Sequence, residues 1–374
     1  MKKLFGFPGT RTELTWPLLQ SLIITIWVIL RNGLRISGPG ELGLESLQLF
    51  PRARYYVSES FGPLIIGKIF QLNTWQRWSN FYLIITLLII FFGIFLLISK
   101  LHQVGFLLSI ALSVSPIATT ILAQIGHYDS FTIFGWLIYI IAFRSNKKFL
   151  RLVGLTIAIS GNPTQTLISI ICVFLLSKVY QRNTDQKTFA KDFLFVLIFY
   201  GFIQSWLTYY EVSSRLLILP LYVVKSFTFL LQTFPYSISS LYGILWIFIF
   251  YCLFMINGKN KKIQFGVVVI IIPFLATLLA VDGTRVFACI SFPIFLYLLQ
   301  IDTNWNLLLR INHNANIRKI FVFACIFYPI NFVLVGQIYQ PYSDLVQPLA
   351  KVVLNYNEWF YSVFNPLIDW YKSR

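Results

Sequence analysis

The chain has 374 residues, of which 57% are hydrophobic and only 11% charged, and its mean hydropathy is +0.73. This composition excludes a soluble globular domain and indicates a polytopic membrane protein, because many apolar runs approach the length needed to cross a bilayer. The net charge of +17 is distributed between apolar runs, which is typical of membrane topology and of contact with anionic lipid rather than of nucleic-acid binding. The four cysteines stand singly inside apolar runs, which predicts packing residues and neither a disulfide framework nor a zinc site.

The apolar runs predict an all-α, polytopic membrane helix bundle of about nine to twelve transmembrane segments. Residues 16–30 are expected to form a retained first helix, because no small-residue cleavage site follows a short apolar stretch. The predicted spans are residues 16–30, 81–99, 104–124, 131–143, 193–210, 241–256, 265–281, 286–301 and 320–338.

Two further apolar stretches carry helix-breaking or charged residues. Residues 152–179 are interrupted by Ser160-Gly-Asn-Pro-Thr164, which predicts a helical hairpin because Gly-Asn-Pro breaks a helix and favours a turn. Residues 216–234 contain Pro220 and Lys225, and we interpret them as a re-entrant or interfacial segment that buries Lys225.

The basic residues predict the orientation. A cytoplasmic N-terminus places 18 of the 30 lysines and arginines on the cytoplasmic side, as expected for a multi-pass protein of a plasma (inner) membrane. Nine of the 13 acidic residues then fall on the outer side. Two of them, Asp129 and Asp282, lie in very short loops between spans, so we expect them close to the membrane surface.

Residues 1–374 are interpreted as a single integral membrane domain. Its first outer loop, residues 31–80, contains apolar positions from Pro63 onward that predict an amphipathic helix lying in the membrane interface. The C-terminal residues 340–374 are rich in aromatic side chains, which predicts a second interfacial segment.

The main candidate for a functional site is the stretch Gln124-Ile-Gly-His-Tyr-Asp-Ser-Phe131, which places His127 and Asp129 between two long apolar runs. Ionisable residues at the end of a membrane helix often serve a function. The alternative interpretation is an ordinary solvated turn.

Two other outer segments combine arginines with carboxylates. Arg54 and Tyr56 precede Glu59 in the first loop, and arginines beside tyrosines and a carboxylate can hold a phosphate or a sugar. Asp282 and Arg285 lie three residues apart between two spans. In one interpretation they form a local salt bridge at a helix N-terminus. In the other, Arg285 binds a phosphate at the membrane surface.

These segments together resemble the membrane glycosyltransferases of the GT-C type. Glu59, within Ser-Glu-Ser-Phe-Gly-Pro-Leu-Ile-Ile-Gly-Lys, is similar in placement to the acid of that family's first outer loop, and its Gly-Pro-Leu and Gly-Lys are similar to the Pro-Pro-Leu-Gly-Lys run of protein O-mannosyltransferases. Gly126-His-Tyr-Asp129 resembles the family's Gly-X-X-Asp element at the start of a later helix. The chain departs from the family between Arg31 and Tyr56, where its only acids are Glu41 and Glu45.

The resemblance implies a donor sugar linked to a polyprenyl phosphate, and a glycan, lipid or protein acceptor, at the outer face of the membrane and among membrane lipid. It implies that Asp129 or Glu59 acts as the base, and that cations stabilise the departing phosphate. The resemblance leaves open a divalent metal ion held by Asp129 and a second carboxylate, and the sequence assigns no set of metal ligands. The residues expected to contact the substrate are His127, Arg54, Tyr56, Asp282 and Arg285.

Three other functions share some of these features. An outer-leaflet polysaccharide polymerase or ligase would have the same multi-span body and outer arginines. A transporter or flippase of lipid-linked sugars would use the broken segment at 160–164 and a buried Lys225. A structural scaffold would need no paired histidine and aspartate.

Overall fold

A computed structural model describes residues 11–34, 39–50, 59–212, 219–233, 236–278, 283–328, 333–334 and 337–338. Within these residues the chain is an all-α polytopic helix bundle, as the composition predicts. Its helices are α1 (Arg11–Asn32), α2 (Pro39–Leu49), α3 (Phe61–Ile69), α4 (Trp75–Ser113), α5 (Pro116–Ala123), α6 (Asp129–Arg144), α7 (Lys148–Gly161), α8 (Pro163–Val179), α9 (Asn183–Tyr209), α10 (Leu219–Thr233), α11 (Tyr236–Tyr242), α12 (Trp246–Met255), α13 (Lys259–Gly266), α14 (Ile272–Thr277), α15 (Gly283–Leu298), α16 (Asp302–His313) and α17 (Ala315–Phe327).

Two short helical turns extend these elements. A 3-10 turn, Gly243–Leu245, joins α11 to α12, and a π-helical turn, Val267–Ile271, joins α13 to α14. Two two-residue strands, β1 (Val333–Leu334) and β2 (Gln337–Ile338), pair antiparallel with Val333 opposite Ile338.

Four helical runs among the described residues are long and apolar enough to cross a membrane. They are Trp75–Ser99, Asn183–Tyr209, Ser237–Met255 and Lys259–Thr277, and the bent pair Val104–Ser113 and Pro116–Ala123 makes a fifth if it is counted as one span. Shorter apolar helices cover Trp16–Asn32, Pro163–Val179, Pro220–Leu231 and Gly283–Leu298. The larger number of nine to twelve spans stays a prediction.

The outer surface of the bundle carries many large apolar side chains, as expected of helices that face lipid. Examples with more than half of their surface exposed are Ile23 and Leu30 on α1, Ile84 on α4, Ile198 and Phe202 on α9, and Ile247 and Phe254 on α12. All four cysteines are buried and free, which agrees with the prediction of packing residues for Cys172, Cys252 and Cys325, whereas Cys289 also hydrogen-bonds to Asp129.

Prolines explain two corrections to the predicted spans. The span predicted at 104–124 is bent by 57° between Ser113 and Pro116, because the residue before a proline is driven out of the helical conformation; Ser115 has ψ 162°. The span predicted at 320–338 is wrong in its second half, since α17 ends at Phe327 and Tyr328, which precedes Pro329 in the sequence, is extended.

The two ambiguous stretches resolve differently. The predicted hairpin is confirmed: α7 ends at Gly161, α8 begins at Pro163, and the Asn162 side chain caps α8 by accepting from the Gln165 N–H at 2.9 Å. The prediction that Lys225 is buried is wrong, because this side chain is exposed on α10. The transporter interpretation therefore loses one of its two supporting features.

Three of the arginines predicted to be cytoplasmic, Arg144, Arg151 and Arg182, lie at one end of the bundle, which we call the basic end. There α6 ends at Arg144, α7 carries Arg151 in its first turn, and Arg182 precedes α9. Arg151 pairs with the buried Asp192 of α9 at 2.9 Å, and Asp192 also accepts a 2.7 Å hydrogen bond from Tyr139 of α6. The opposite end, where α6, α8 and α15 begin, is called the Asp129 end.

Small residues let α6 and α7 pack with their backbones in contact. A Cβ atom built on Gly135 would lie 2.4 Å from the Ala158 nitrogen, and one on Gly154 would lie 2.5 Å from the Tyr139 nitrogen. The hydrophobic effect does not drive helices together in lipid. Close packing at small residues instead supplies van der Waals contacts that hold the helices together.

We expect Gly135→Ala to destabilise the folded protein by about 1–3 kcal/mol, because the added methyl overlaps backbone atoms that cannot rotate away. Gly201→Ala in α9 is the matched control, since nothing lies within 4 Å of a Cβ there. Thermal unfolding of the purified protein in detergent measures both. Equal midpoints for the two variants would contradict the close packing of α6 on α7.

Candidate functional site

The site is built on the turn between α5 and α6. Gly126 has φ +90°, a conformation that glycine adopts without strain, and the His127 N–H donates to the Gln124 carbonyl at 3.0 Å. Helix α6 then begins at Asp129. The turn therefore places His127 and Asp129 side by side at the entrance of one helix.

Arg285 reaches this turn from α15, 156 positions along the chain. Its Nη1 donates to both carboxylate oxygens of Asp129, at 3.1 Å to Oδ2 and 3.3 Å to Oδ1. Asp129 is fully buried and Arg285 is 7% exposed. The two charges form a buried ion pair, so the removal of either partner would leave the other charge uncompensated.

His127 lies between the two charged groups. Its Nδ1 is 3.1 Å from Asp129 Oδ2 and 3.3 Å from Arg285 Nη1. Because a guanidinium only donates, Nδ1 serves Asp129 when it carries a proton and Arg285 when it does not. The imidazole can therefore exchange partners if either charged group moves.

Two further side chains complete the cluster. Arg285 Nη1 donates to the Tyr128 hydroxyl at 3.3 Å, and the guanidinium carbon lies 5.5 Å from the centre of the Tyr128 ring. The Cys289 thiol donates to Asp129 Oδ1 at 3.5 Å. Sequence reasoning missed both residues, although Tyr128 belongs to the motif and Cys289 lies one helical turn after Arg285 on the same face of α15.

The helix dipoles treat the two charges differently. Asp129 stands in the first turn of α6, where the partial positive charge of the helix N-terminus favours an acid. Arg285 stands in the first turn of α15, where the same partial charge disfavours a cation. The arginine is therefore stabilised at this position by Asp129, and a second anion would also be favoured there.

The first-loop helix α2 covers the turn. A Cβ atom on Gly43 would lie 2.8 Å from the Gly126 carbonyl oxygen and 2.5 Å from the fully buried Trp78 ring. His127 in the same turn is only 6% exposed. The interpretation of this stretch as a solvated turn is therefore wrong.

Glu59 is held by a different set of residues. This buried carboxylate accepts a hydrogen bond from the Thr164 hydroxyl at the start of α8, and the Tyr200 side chain of α9 lies close to the same two residues. Sequence reasoning did not include Thr164 and Tyr200 in the site, because no local pattern places α8 and α9 beside the first loop.

The broken segment between α7 and α8 stands between the two carboxylates. On one side a Cβ on Gly161 would lie 2.5 Å from Thr132 Oγ1, one turn into α6. On the other side, a Cβ on Gly62 in α3 would lie 2.5 Å from Ser160 Oγ. The segment is thus in close contact with α6, which begins at Asp129, and with α3, which follows Glu59 in the chain.

An apolar cavity of about 240 Å³ adjoins the Glu59 cluster. It lies between α3 and α9, and Phe61 and Phe199 in its wall are neighbours of Glu59 and Tyr200 in the sequence. The full lining is Phe50, Phe61, Ile65, Phe199, Phe202, Ile203 and Trp206.

The other predicted site residues have no described position: Arg54, Tyr56 and Asp282 lie outside the described residues, as do residues 340–374. Within the described part of the chain, no group of three histidine, cysteine or acidic residues is arranged to hold a metal ion. The cation that neutralises Asp129 in this arrangement is Arg285.

We expect Arg285→Gln to destabilise the protein by about 3–5 kcal/mol, because it leaves the Asp129 carboxylate buried without its cation. Combined with Asp129→Asn, the same change should be less damaging than the sum of the single effects. The partly exposed pair of Arg182 and Asp185, 3.4 Å apart, is the control, with an expected coupling of about 0–1 kcal/mol. Unfolding of the four variants of each pair measures the two couplings, and additive effects at Asp129 and Arg285 would contradict a buried ion pair.

No family model, curated protein or solved structure matches this chain. Its function is therefore inferred from the site itself, which joins a buried carboxylate, an imidazole and a guanidinium at one end of a membrane helix bundle.

Proposed function

We propose that the chain is a membrane glycosyltransferase that moves a sugar from a polyprenyl-phosphate-linked donor to a glycan, lipid or protein acceptor at the outer face of the membrane. The observation that carries this proposal is the convergence of Asp129, His127 and Arg285 within 3.3 Å of one another from two distant parts of the chain. Glycosyl transfer needs both a base and a cation beside the departing phosphate.

In this reaction the acceptor hydroxyl oxygen bonds to the anomeric carbon of the sugar as the bond from that carbon to the phosphate oxygen breaks. The electron pair of the broken bond leaves with the polyprenyl phosphate, and the hydroxyl proton passes to the Asp129 carboxylate. His127 orients that carboxylate through the 3.1 Å contact of its Nδ1 with Oδ2.

Arg285 determines the order in which the donor binds and the Asp129 carboxylate becomes a stronger base. A carboxylate that accepts two contacts from a guanidinium is a weak base, because the arginine stabilises its charged form. The donor phosphate competes with Asp129 for the same guanidinium, since arginine binds phosphate as well as carboxylate. Binding of the donor therefore draws Arg285 away from Asp129 and raises the basicity of the carboxylate when it is needed.

The Glu59 cluster supports a lipid-linked donor. The cavity of about 240 Å³ beside it is lined only by apolar side chains, which suits isoprenoid units of the donor. Glu59 and Tyr200 supply polar groups next to this apolar wall, where sugar hydroxyls can bind. In this assignment Glu59 binds the substrate and Asp129 is the base.

The position of the basic residues supports the proposed orientation. Arg144, Arg151 and Arg182 lie at the end of the bundle opposite Asp129. Under the positive-inside rule this end faces the cytoplasm, the N-terminus is cytoplasmic, and the site opens to the outer face of a plasma (inner) membrane. Because Asp129 is fully buried, the acceptor reaches it only after part of the surrounding structure moves.

We expect Asp129→Asn to lower transfer by about 10²–10⁴-fold, the usual contribution of a general base. The measurement is the release of polyprenyl phosphate from lipid-linked sugars by protein reconstituted in vesicles, normalised to the amount of folded protein. Asp185→Asn at the basic end is the matched control and should keep its activity. A folded Asp129→Asn variant with undiminished transfer would remove this residue from the role of base, and movement of intact lipid-linked sugar without cleavage would favour a transporter.

Glu59→Gln separates binding from catalysis. We expect it to raise KM for the donor with little change in kcat, because the substitution alters a polar contact beside the apolar cavity and leaves Asp129 and Arg285 in place. Steady-state kinetics with one lipid-linked donor measure both constants. A fall in kcat without a change in KM would instead identify Glu59 as the base.

A further inference from the structure

The apolar run Lys259–Thr277 contains a break in its helical hydrogen bonds. Pro273 has no backbone N–H, so the carbonyl four residues before it, that of Val269, receives no helical hydrogen bond from this position. The π-helical turn Val267–Ile271 lies just before the proline, where the ring would clash with that carbonyl in a straight α-helix. In a membrane span, a carbonyl freed in this way needs a partner from another helix.

Tyr242, the last residue of α11, is that partner. Its hydroxyl donates to the Val269 carbonyl at 2.7 Å, and the side chain is buried. Its ring packs edge-to-face against Phe287 of α15, with 4.9 Å between the ring centres and 90° between the ring planes. Tyr242 therefore joins the broken span to α15 through two separate contacts.

Helix α11 contacts α15 at residues that stand on both sides of Arg285 in the sequence. The Ser240 and Thr284 hydroxyls hydrogen-bond to each other at 2.8 Å, and both side chains are buried. Thr284 directly precedes Arg285, and Phe287, against which Tyr242 packs, follows it by two positions. A displacement of α11 would therefore displace the first turn of α15 and the arginine with it.

The same segment touches the element that leads to Asp129. Gly243 has φ +57°, and a Cβ atom built on it would lie 3.2 Å from Cδ of Pro116, where α5 begins. Helix α5 is followed by the turn that carries His127, and α6 begins at Asp129. Residues 240–243 thus contact both parts of the chain that meet in the buried ion pair.

We propose that Tyr242 is a positioning residue for Arg285. Its hydrogen bond to the Val269 carbonyl holds α11, and through α11 the first turn of α15, so that Arg285 reaches Asp129 at rest and the donor phosphate during transfer. This inference rests on the proposed function, in which Arg285 exchanges one anion for the other. Tyr242 acts through α15, because its own contacts are with the Val269 carbonyl and the Phe287 ring.

Tyr242→Phe removes the hydroxyl and keeps the ring on Phe287. We expect kcat/KM for the lipid-linked donor to fall by about 10–100-fold, because small errors in the placement of a group at the reacting phosphate have costs of this order. Tyr297→Phe is the matched control, since it removes another buried tyrosine hydroxyl from α15, one that bonds Asp185 near the basic end. This control should keep its kcat/KM, and equal losses in the two variants would overturn the proposal.

Pro273→Ala separates positioning from a general loss of stability. Alanine restores the backbone N–H four residues after Val269, so the Val269 carbonyl regains a helical partner and depends less on Tyr242. We expect Tyr242→Phe to cause a smaller fold-change in kcat/KM in the Pro273→Ala chain than in the unchanged chain. Equal fold-changes in the two backgrounds would show that the hydroxyl does not act through this carbonyl, and the proposal would be wrong.

Alkylation of Cys289 tests the placement of α15 without the transfer reaction. This buried thiol lies one turn after Arg285 on the same face of α15, so it becomes accessible when the start of this helix moves. With a water-soluble maleimide and mass spectrometry of peptides, we expect Cys289 to react faster in Tyr242→Phe than in Tyr297→Phe. The buried Cys325 of α17 is the internal reference and should react equally in both.

The labelling also distinguishes a failure of this inference from a failure of the proposed function. If the unchanged chain shows no transfer but Cys289 reacts faster in Tyr242→Phe, the proposed function fails and the role of Tyr242 in holding α15 stands. Labelling of Cys289 that does not change would overturn that role. An equal rise at Cys325 would overturn it too, because it would indicate a general loss of structure.

Discussion

The buried ion pair of Asp129 and Arg285 constrains the rest of the structure. Taking two charges out of water costs several kcal/mol for each ion, and only close contact between them offsets this cost. That contact requires α6 and α15 to begin side by side, the turn at Gly126 to hold its positive φ, and α2 to exclude water above it. Two glycines help to hold α6 in place. Gly135 and Gly154 let α7 pack against α6 with the two backbones in contact.

Two buried ion pairs lie near opposite ends of α6. Asp129 pairs with Arg285 of α15 at one end, and Asp192 of α9 pairs with Arg151 of α7 at the other. Ion pairs at both ends fix the helices against one another without placing a charge in the middle of the apolar layer, where it would be most expensive.

The sequence predicted the helices and the stretch that carries the candidate site more fully than it predicted the contacts between helices. Long apolar runs identify membrane helices, and the Gly-Asn-Pro break identified the hairpin at Asn162. The contact of Asp129 with Arg285 was beyond a single sequence, because helices that are apolar all round carry no periodic signal for the face that meets a neighbour. The burial of Lys225 was wrongly predicted for the same reason, since an apolar run does not distinguish a lipid-facing surface from a buried one.

In the proposed reaction, the same ion pair keeps the carboxylate assigned as base in a closed site until the donor binds. At rest Arg285 holds Asp129 in its charged, weakly basic form, and Tyr128, His127 and Cys289 make further hydrogen bonds to the pair. A phosphate that enters near the N-terminus of α15 meets a helix end and a guanidinium that both favour an anion. His127 can then donate to the carboxylate that the arginine has left, so the negative charge on Asp129 stays hydrogen-bonded throughout the exchange. In the proposed reaction, the resting and the active site therefore differ only in which groups Arg285 and His127 contact.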